Sequence, residues 1–385
     1  MRIAFVTETF PPEVNGVALT VERGVRHLRR SGHAVLLVRP QQPHERPLDA
    51  HSEWRTAGLR LPMYPDLRLG LALPSSLRRR FDDFGAELVH VATPGPLGAA
   101  AVAAARALDL PVTSDFRTNF DVYAGHYGFG FARRVVGAYL RRFHNRTALS
   151  FVPCRRLCDE LRASGFERVE VAGRGVDALA FAPERRSAGL RLRWGAGAHH
   201  PVLLHVGRLA PEKNVALALR SFRVVQRRVP NARMVVVGDG PLRARLQADH
   251  PDVHFAGVRR GEDLAAHYAS ADLFLFPSLS ETFGNVTLEA LASGLAVVAF
   301  DAAAAGELIH DGRNGLLVAP GDEAGFVDAA CGAAARLEAL GPLRRQARAT
   351  AQAHDWEPVL QSFEQRLVQQ ARGPRAYAPA WREAT

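Results

Sequence analysis

The sequence predicts an α/β protein with two Rossmann-like, doubly wound domains. Short apolar segments rich in β-branched residues alternate with helical stretches, which is the pattern of repeated βα units around a parallel sheet. The pattern occurs twice, on either side of residues 173–201, which are rich in Gly, Ala and Pro and are typical of a linker. A length of 385 residues is sufficient for two domains of ordinary size.

Each half of the chain contains six predicted strands. Those of the first half are Ile3–Val6, Ala34–Val38, Leu88–Val91, Pro111–Thr113, Ser150–Val152 and Val169–Val171. Those of the second half are Val202–Val206, Arg233–Val237, Val253–Phe255, Leu273–Phe276, Ala296–Ala299 and Leu316–Val318. We therefore predict an N-terminal domain over residues 1–175, a C-terminal domain over residues 176–355, and a final amphipathic helix at 356–371. Because open parallel sheets bind ligands beyond the carboxyl ends of their strands, site residues are expected in the loops that follow these strands.

Composition narrows the class of protein. A hydrophobic content of 47% with 23% charged residues excludes a disordered or low-complexity chain. No apolar run reaches the ~18 residues of a membrane-spanning helix, and the N-terminus turns polar too early for a signal peptide. Three cysteines cannot form a disulfide framework. These features predict a cytoplasmic protein.

The net charge of +10 is concentrated in the first 180 residues, which carry 25 basic and 18 acidic side chains. An acidic partner is therefore expected. Nucleic acid is disfavoured because no aromatic ladder or recognition signature accompanies the basic residues. A phosphorylated ligand or an anionic membrane surface fits the charge equally well. A basic amphipathic helix at 131–146 either lies on anionic lipid or is an ordinary solvated surface helix.

Three loops after predicted strands carry glycines or cations. Gly16 lies where backbone amides approach an anion, or serves only as a flexible loop residue. No G-x-G-x-x-G motif is present, which argues against a nicotinamide-dependent oxidoreductase. Arg208 and Lys213 form a candidate anion clamp, and Lys213 is the only lysine of the chain, which favours a functional role over a chance solvated charge. Gly238 and Gly240 by themselves indicate a tight turn.

The strongest constellation runs from Glu281 to Glu289, after a predicted strand and into a helix. Two helical carboxylates eight residues apart are separated by ~12 Å along the axis, too far to act as acid and base on one glycosidic bond. They suit the two ends of an elongated ligand, with helix amides holding a negative group between them. A nucleotide sugar has this layout. No metal is expected, because the sequence lacks H-E-x-x-H, zinc-type Cys/His spacing and an Asp-x-Asp pair.

Together these motifs resemble those of the retaining GT-B glycosyltransferases of family 4, also called group 1 glycosyltransferases. The match covers nearly the whole chain in order. The resemblance implies a GT-B fold whose two domains face each other across a cleft, with the helix at 356–371 returning to the first domain. It also implies transfer of a glucose- or mannose-type hexose from a UDP- or GDP-sugar with retained configuration, without a metal or pyridoxal phosphate. The expected acceptor is a lipid or an oligosaccharide, and the expected location is the cytoplasm or the inner face of the plasma membrane.

The resemblance also implies roles for the motif residues. Arg208 and Lys213 would neutralise the diphosphate leaving group. Glu281 would hold the hydroxyls of the donor hexose, and Glu289 would hold the ribose. The remaining donor-binding residues would be Gly16, Val258, Phe283, Gly284, Asn285 and Val286.

The acceptor-side segment departs from the family pattern. Arg117, Asn119 and Tyr123 are the candidates there, but family members commonly carry His at the position of Arg117. Arginine stays protonated and cannot act as a general base. Retention by front-face attack needs no enzymatic base, so the expected activity stands, and Arg117 would bind donor phosphate or an anionic acceptor.

Other functions remain compatible with the same motifs. A GT-B sugar-nucleotide epimerase would bind the same donor, and a non-catalytic nucleotide-sugar-binding subunit would explain the departure at Arg117. A phosphorylase is disfavoured because its pyridoxal phosphate needs a lysine, and the only lysine is Lys213 in the phosphate clamp.

Overall fold

The computed structural model describes residues 1–13, 16–42, 45, 52–61, 64–117, 130–278 and 280–373. These residues form two compact units. The N-terminal unit runs to residue 117, continues through Gly130–Gly173 and takes in the chain from Leu360, and the C-terminal unit consists of Arg174–Val359. The predicted class, α/β with two parallel sheets, is confirmed.

The N-terminal unit is built on an eight-stranded sheet with the order β4-β3-β2-β1-β5-β6-β7-β8. Its strands are β1 (Arg2–Val6), β2 (Ala34–Pro40), β3 (Glu53–Leu61), β4 (Tyr64–Leu71), β5 (Leu88–Val91), β6 (Val112–Asp115), β7 (Leu149–Val152) and β8 (Val169–Val171). The helices of its first two segments are α1 (Gly16–Arg30), α2 (Pro74–Phe84), α3 (Pro96–Arg106), α4 (Gly130–His144) and α5 (Arg155–Ala163). The central strands β1, β2, β5 and β6 are buried along almost their whole length, and apolar clusters lie on both faces of the sheet.

Two strands of this sheet, β3 and β4, were not indicated by the sequence. Their segments contain Gly58, Pro65 and Gly70, residue types that argue against a strand interior. The structure tolerates Pro65 and Gly70 because they lie in β4, which is an edge strand. β4 is antiparallel to β3, while the other pairings in the sheet are parallel. All twelve predicted strands occur, with ends within two residues of the expected positions.

The C-terminal unit contains a six-stranded parallel sheet with the order β11-β10-β9-β12-β13-β14. Its strands are β9 (Val202–Val206), β10 (Arg233–Val237), β11 (His254–Gly257), β12 (Leu273–Phe276), β13 (Ala296–Phe300) and β14 (Leu316–Val318). Its helices are α6 (Ala188–Arg193), α7 (Val215–Arg228), α8 (Arg243–Asp249), α9 (Gly261–Ser270), α10 (Asn285–Ala292), α11 (Ala303–Leu308), α12 (Glu323–Ala335) and α13 (Gly341–Gln352). This strand order is that of the Rossmann fold, and its switch point lies between β9 and β12.

The interpretation of residues 173–201 as a linker was wrong. A short 3-10 turn and α6 lie within this segment, and both belong to the C-terminal unit. Arg191 is buried there and donates hydrogen bonds to Asp272 and to the carbonyl of Gly197. Leu190 and Trp194 are also buried. A few anchoring side chains therefore order a segment whose Gly and Ala content is typical of a linker.

The last helix, α14 (Trp356–Arg372), contributes to the core of the N-terminal unit. Phe363 and Leu367 belong to the same buried cluster as Ile3. The carboxylate of Glu364 lies 2.7 Å from the ring of His27 and also accepts a hydrogen bond from the side chain of Ser31. Among the residues that the structure describes, no helix is both long and apolar enough to cross a membrane.

Candidate active site

The predicted donor-site residues lie in loops at the switch point of the C-terminal sheet. The loop after β9 carries Arg208 and Lys213, and the loop after β12 carries Glu281. β9 and β12 are hydrogen-bonded neighbours, so their carboxyl ends bring the two loops together. This is the place where open α/β sheets bind ligands.

The loop after β9 is fixed by the loop after β10. The amide of Leu209 donates to the carbonyl of Asp239 at 2.9 Å, and the amide of Leu242 donates back to the carbonyl of Leu209 at 3.0 Å. A Cβ on Gly238 would lie 1.9 Å from the carbonyl oxygen of Gly207. The glycine turn after β10 therefore does more than reverse the chain, because its lack of side chains lets the two loops touch.

Lys213 and Glu281, two of the predicted catalytic residues, contact each other directly. The ammonium of Lys213 donates a hydrogen bond to Oε1 of Glu281, and the hydroxyl of Ser278 donates to the same oxygen at 2.9 Å. The side chains of Lys213 and Glu281 are 13% and 16% exposed. A cation and a carboxylate are thus held side by side, close to the protein surface, at the end of the sheet.

Arg208, the third predicted catalytic residue, lies near a buried acid. Its guanidinium is 3.8 Å from Oε1 of Glu212, whose side chain is 1% exposed. Neither carboxylate oxygen of Glu212 has a hydrogen-bond partner among the residues that the structure describes. The side chain of Arg208 is 35% exposed. Sequence reasoning missed Glu212, because a glutamate beside a lysine in a helical turn is typical of solvent-exposed surface.

Glu281 and Glu289 do not share a helix. α10 begins at Asn285, after Gly284 adopts a left-handed conformation with φ of 91°, so Glu281 lies in the preceding loop and Glu289 lies within the helix. Phe283 is buried, and its carbonyl accepts the amide of Ala304. The first turn of α10, which begins with Asn285 and Val286, contains no acidic residue, as suits a helix N-terminus that attracts a negative group.

Glu289 is held by a tyrosine that the sequence analysis missed. The hydroxyl of Tyr268, on α9, donates a hydrogen bond to Oε2 of Glu289 at 2.9 Å. Tyr268 is fully buried. An aromatic residue on an apolar helix face is typical of an ordinary core position, so only the structure distinguishes its polar contact.

A buried histidine lies at the end of β9, below the loop of Arg208. Nδ1 of His205 contacts the carbonyl oxygen of Leu275 at 3.0 Å, and Nε2 has no hydrogen-bond partner within the described part of the chain. Burial lowers the pKa of His205 to about 4, although the contact with the Leu275 carbonyl opposes the shift, and the charge of Lys213 adds to it. The ring is therefore neutral at physiological pH, and it adds no charge beneath the loop.

The corresponding end of the N-terminal sheet holds a buried carboxylate, Glu8, that the sequence analysis did not single out. Glu8 follows β1, its Oε1 accepts the amide of Leu97 at 3.0 Å, and its own amide donates to Thr93. Burial raises the pKa of Glu8 to about 7, although hydrogen bonds from Leu97 and other backbone amides oppose the shift. The carboxylate of Glu8 therefore accepts a hydrogen bond from the first turn of α3, as an N-capping side chain does.

Arg117, the acceptor-side candidate, is tied to the sheet by an ion pair. Its Nε donates to Oδ2 of Asp115 at 2.6 Å, and the ring of His90 lies 3.0 Å from the same oxygen. Burial would raise the pKa of Asp115, but the charges of Arg117 and His90 outweigh it and hold that pKa well below its usual range. The other two acceptor-side candidates, Asn119 and Tyr123, lie outside the described residues.

The two remaining donor-binding candidates lie on different units. Gly16 is the first residue of α1 in the N-terminal unit. Val258 follows β11 in the C-terminal unit and is 50% exposed. The structure therefore brings Lys213 and Glu281 into contact, with Arg208 in the same loop as Lys213, and the loop and first turn of α10 connect Glu281 to Glu289.

Two protein-family models match this chain, one in each half. Residues 14–178 match the model described as Glycosyltransferase Family 4, and residues 200–335 match the model described as Glycosyl transferases group 1. The chain belongs to the family 4, group 1 glycosyltransferases. The predicted family and the two-domain GT-B fold are both confirmed.

Individual relatives of this glycosyltransferase agree with the family match. It is 38% identical to the GDP-mannose-dependent alpha-mannosyltransferase of Mycobacterium tuberculosis, over 84% of this chain and 85% of that one. It is 28% identical to the alpha-monoglucosyldiacylglycerol synthase of Streptococcus pneumoniae, over 82% of this chain and 75% of that one. Its fold resembles that of the sucrose-phosphate synthase of Thermosynechococcus elongatus, with a TM-score of 0.77 and 19% identity over 96% of this chain and 98% of that one.

Proposed function

We propose that this glycosyltransferase moves a glucose- or mannose-type hexose from a GDP- or UDP-sugar to a lipid or glycan acceptor, with retained configuration and without a metal. The observation that carries the proposal is the contact between Lys213 and Glu281 at the carboxyl ends of β9 and β12. The names of the Mycobacterium tuberculosis and Streptococcus pneumoniae relatives support a GDP-sugar donor and a diacylglycerol-type acceptor respectively.

In this proposal the cations receive the diphosphate. Lys213 and Arg208 stabilise the negative charge that develops on the leaving group, and such preorganised groups are worth ~10²-fold or more in rate. The first turn of α10 adds its helix dipole. Glu281 accepts hydrogen bonds from the hexose hydroxyls, and Glu289 accepts them from the ribose.

The transfer step needs no protein base. The acceptor oxygen forms a bond to the anomeric carbon on the same face from which the phosphate oxygen departs. The bond between the anomeric carbon and that phosphate oxygen breaks, and the acceptor proton passes to the departing diphosphate. Arg117 is compatible with this route because its fixed charge, paired with Asp115, orients an anionic group without accepting a proton.

Peripheral membrane contact is part of the proposal. α4 exposes the apolar side chains of Val135 and Tyr139 beside the exposed Arg141 and Arg142. Surface attraction of ~1 kcal/mol per basic residue is screened by salt. We expect salt-sensitive flotation with anionic vesicles, and equal recovery with neutral vesicles would contradict this part of the proposal.

A donor screen followed by product analysis tests the proposed function. GDP-mannose, UDP-glucose and related donors are compared by thermal shift, where a ligand at 100 times its dissociation constant adds ~2.7 kcal/mol of stability. The donor that binds is then incubated with diacylglycerol or oligosaccharide acceptors, with and without a chelator. We expect an α-linked glycoside in both cases.

Three results would contradict the proposal. Release of an altered sugar without any glycoside would indicate an epimerase, and donor binding without turnover would indicate a non-catalytic subunit. Loss of activity with the chelator would show that the reaction needs a metal.

A further inference from the structure

The hydroxyl of Tyr268 contacts the carboxylate of Glu289, one of the predicted donor-binding residues. Tyr268 lies on α9, is fully buried, and donates a hydrogen bond to Oε2 of Glu289 at 2.9 Å. Glu289 itself is only partly buried, on the neighbouring helix α10. The hydrogen bond therefore runs from the protein interior to a carboxylate that is accessible from the surface.

The ring of Tyr268 is held firmly. It makes an edge-on contact with Phe181 at 5.7 Å and a tilted contact with Phe274 at 5.8 Å between ring centroids. Burial and the neighbouring Glu289 charge hold the pKa of Tyr268 well above its usual value, so the hydroxyl keeps its proton and remains a donor. A fixed donor of this kind restricts the otherwise flexible Glu289 side chain.

We infer that Tyr268 is a positioning residue for the nucleotide ribose, acting through Glu289. The inference rests on the proposed function, in which Glu289 accepts the ribose hydroxyls. With Oε2 bound to Tyr268, the carboxylate presents a defined orientation to those hydroxyls. Its rotational freedom is then already restricted before the nucleotide arrives, which lowers the entropic cost of binding.

The test measures how one substitution changes the binding affinity of two nucleotides that differ only at the ribose. Tyr268→Phe keeps the buried ring and removes the hydroxyl. GDP and 2′,3′-dideoxy-GDP are titrated calorimetrically into the wild-type protein and the variant, and UDP with its dideoxy form is used if UDP binds more tightly. We expect the affinity for the ribonucleotide to fall by about 5- to 10-fold, comparable to the net contribution of one ordinary hydrogen bond, and the affinity for the dideoxynucleotide to stay within about 2-fold.

Two other outcomes would overturn the inference. An equal loss for both nucleotides would show that Tyr268 acts only on the structure of the site, and an unchanged ribonucleotide affinity would show that Glu289 needs no positioning. Ser221→Ala is the matched control, because it removes a buried hydroxyl that donates a hydrogen bond to the Leu217 carbonyl within α7 of the same unit; it should change neither affinity.

A second variant, Glu289→Gln, tests the proposed role of Glu289 separately from the inference about Tyr268. Glu289→Gln should weaken binding of the ribonucleotide. If it does not, or if the wild-type protein binds neither nucleotide, the assignment of Glu289 to the ribose falls, and the inference falls with it. If Glu289→Gln weakens binding and Tyr268→Phe does not, only the inference is overturned.

Discussion

Lys213 and Glu281 contact each other, and the proposed function assigns them to adjacent parts of the donor, the diphosphate and the hexose. The ammonium of Lys213 forms an ion pair with the carboxylate of Glu281. Under the proposed function a diphosphate competes with Glu281 for Lys213, while hexose hydroxyls bind Glu281. Each of the two residues then replaces its contact with the other by a contact with the donor. The pairing therefore limits the cost of holding two charged groups, each less than a fifth exposed, before the donor binds.

Lys213→Ala tests the role of the ammonium. Because one stabilising group at the leaving diphosphate is lost, we expect turnover of the donor to fall by ~10²-fold or more. Steady-state release of nucleoside diphosphate measures this. Arg220→Ala is the control, since Arg220 forms an exposed ion pair with Glu323 on the surface of the same unit and such pairs contribute little. Turnover of Lys213→Ala near the wild-type rate would show that the lysine is not part of the site.

Glu8 should make stability depend on pH in a distinctive direction. Its pKa is raised to about 7 in the folded protein from an ordinary value of 4.5, so the folded state binds the proton more tightly than the unfolded state. Its contribution to stability is complete below pH 4.5 and is lost as the pH rises through about 7. Thermal melts of wild-type protein and Glu8→Gln between these limits should diverge, with the variant gaining relative stability as the pH rises. A constant difference would contradict the assignment.

Sequence reasoning identified the charged residues of the site but not their partners. Arg208, Lys213 and Glu281 stand in recognisable spacings after strands. Ser278 and Tyr268 are ordinary residue types for a loop and a core helix, and their roles depend on which strands and helices become neighbours. Such tertiary contacts leave no local periodicity in the sequence.

At the scale of elements, the C-terminal sheet was predictable and the edge of the N-terminal sheet was not. Buried parallel strands such as β12 and β13 appear as continuous apolar runs. β4 contains Pro65 and Gly70 and depends on pairing with β3, which the sequence does not reveal. The sequence also did not show where α10 begins, because this depends on the left-handed turn at Gly284, which leaves Glu281 in the preceding loop.

Gly238→Ala tests the contact between the loops after β9 and β10. The new methyl group would meet the Gly207 carbonyl at 1.9 Å, at a residue with φ of 133°. We expect the free energy of unfolding to fall by about 2 to 4 kcal/mol from strain and displacement of the loop, and nucleotide binding to weaken. Denaturant titration and calorimetry measure the two effects.

Gly312→Ala is the control for this substitution. Gly312 has a φ of 71° with no heavy atom within 4 Å of the added Cβ, so only the backbone cost of about 1 to 2 kcal/mol applies. Equal destabilisation of the two variants would contradict the proposed steric contact between the loops.

At the scale of the whole molecule, the chain returns to its first unit in α14. Phe363 lies against His90 and Phe151, with ring centroids 5.1 and 5.2 Å away. Phe363→Ala should lower the free energy of unfolding by about 3 to 5 kcal/mol, the usual cost of removing a buried phenylalanine ring. Denaturant unfolding measures it, with the exposed Gln365→Ala on the same helix as control. A loss below about 1 kcal/mol would show that the helix contributes little to that core.

The most direct test of the account is the comparison of Glu281→Gln with Glu289→Gln in titrations with GDP and UDP. A nucleoside diphosphate contains the ribose and the phosphates but no hexose. If Glu289 holds the ribose and Glu281 holds the hexose, Glu289→Gln should weaken binding of the diphosphate about 10-fold, as expected for charge-assisted hydrogen bonds, and Glu281→Gln should not weaken it. A larger loss of diphosphate affinity in Glu281→Gln would mean that the two ends of the donor are reversed, and no loss in either variant would place the donor elsewhere.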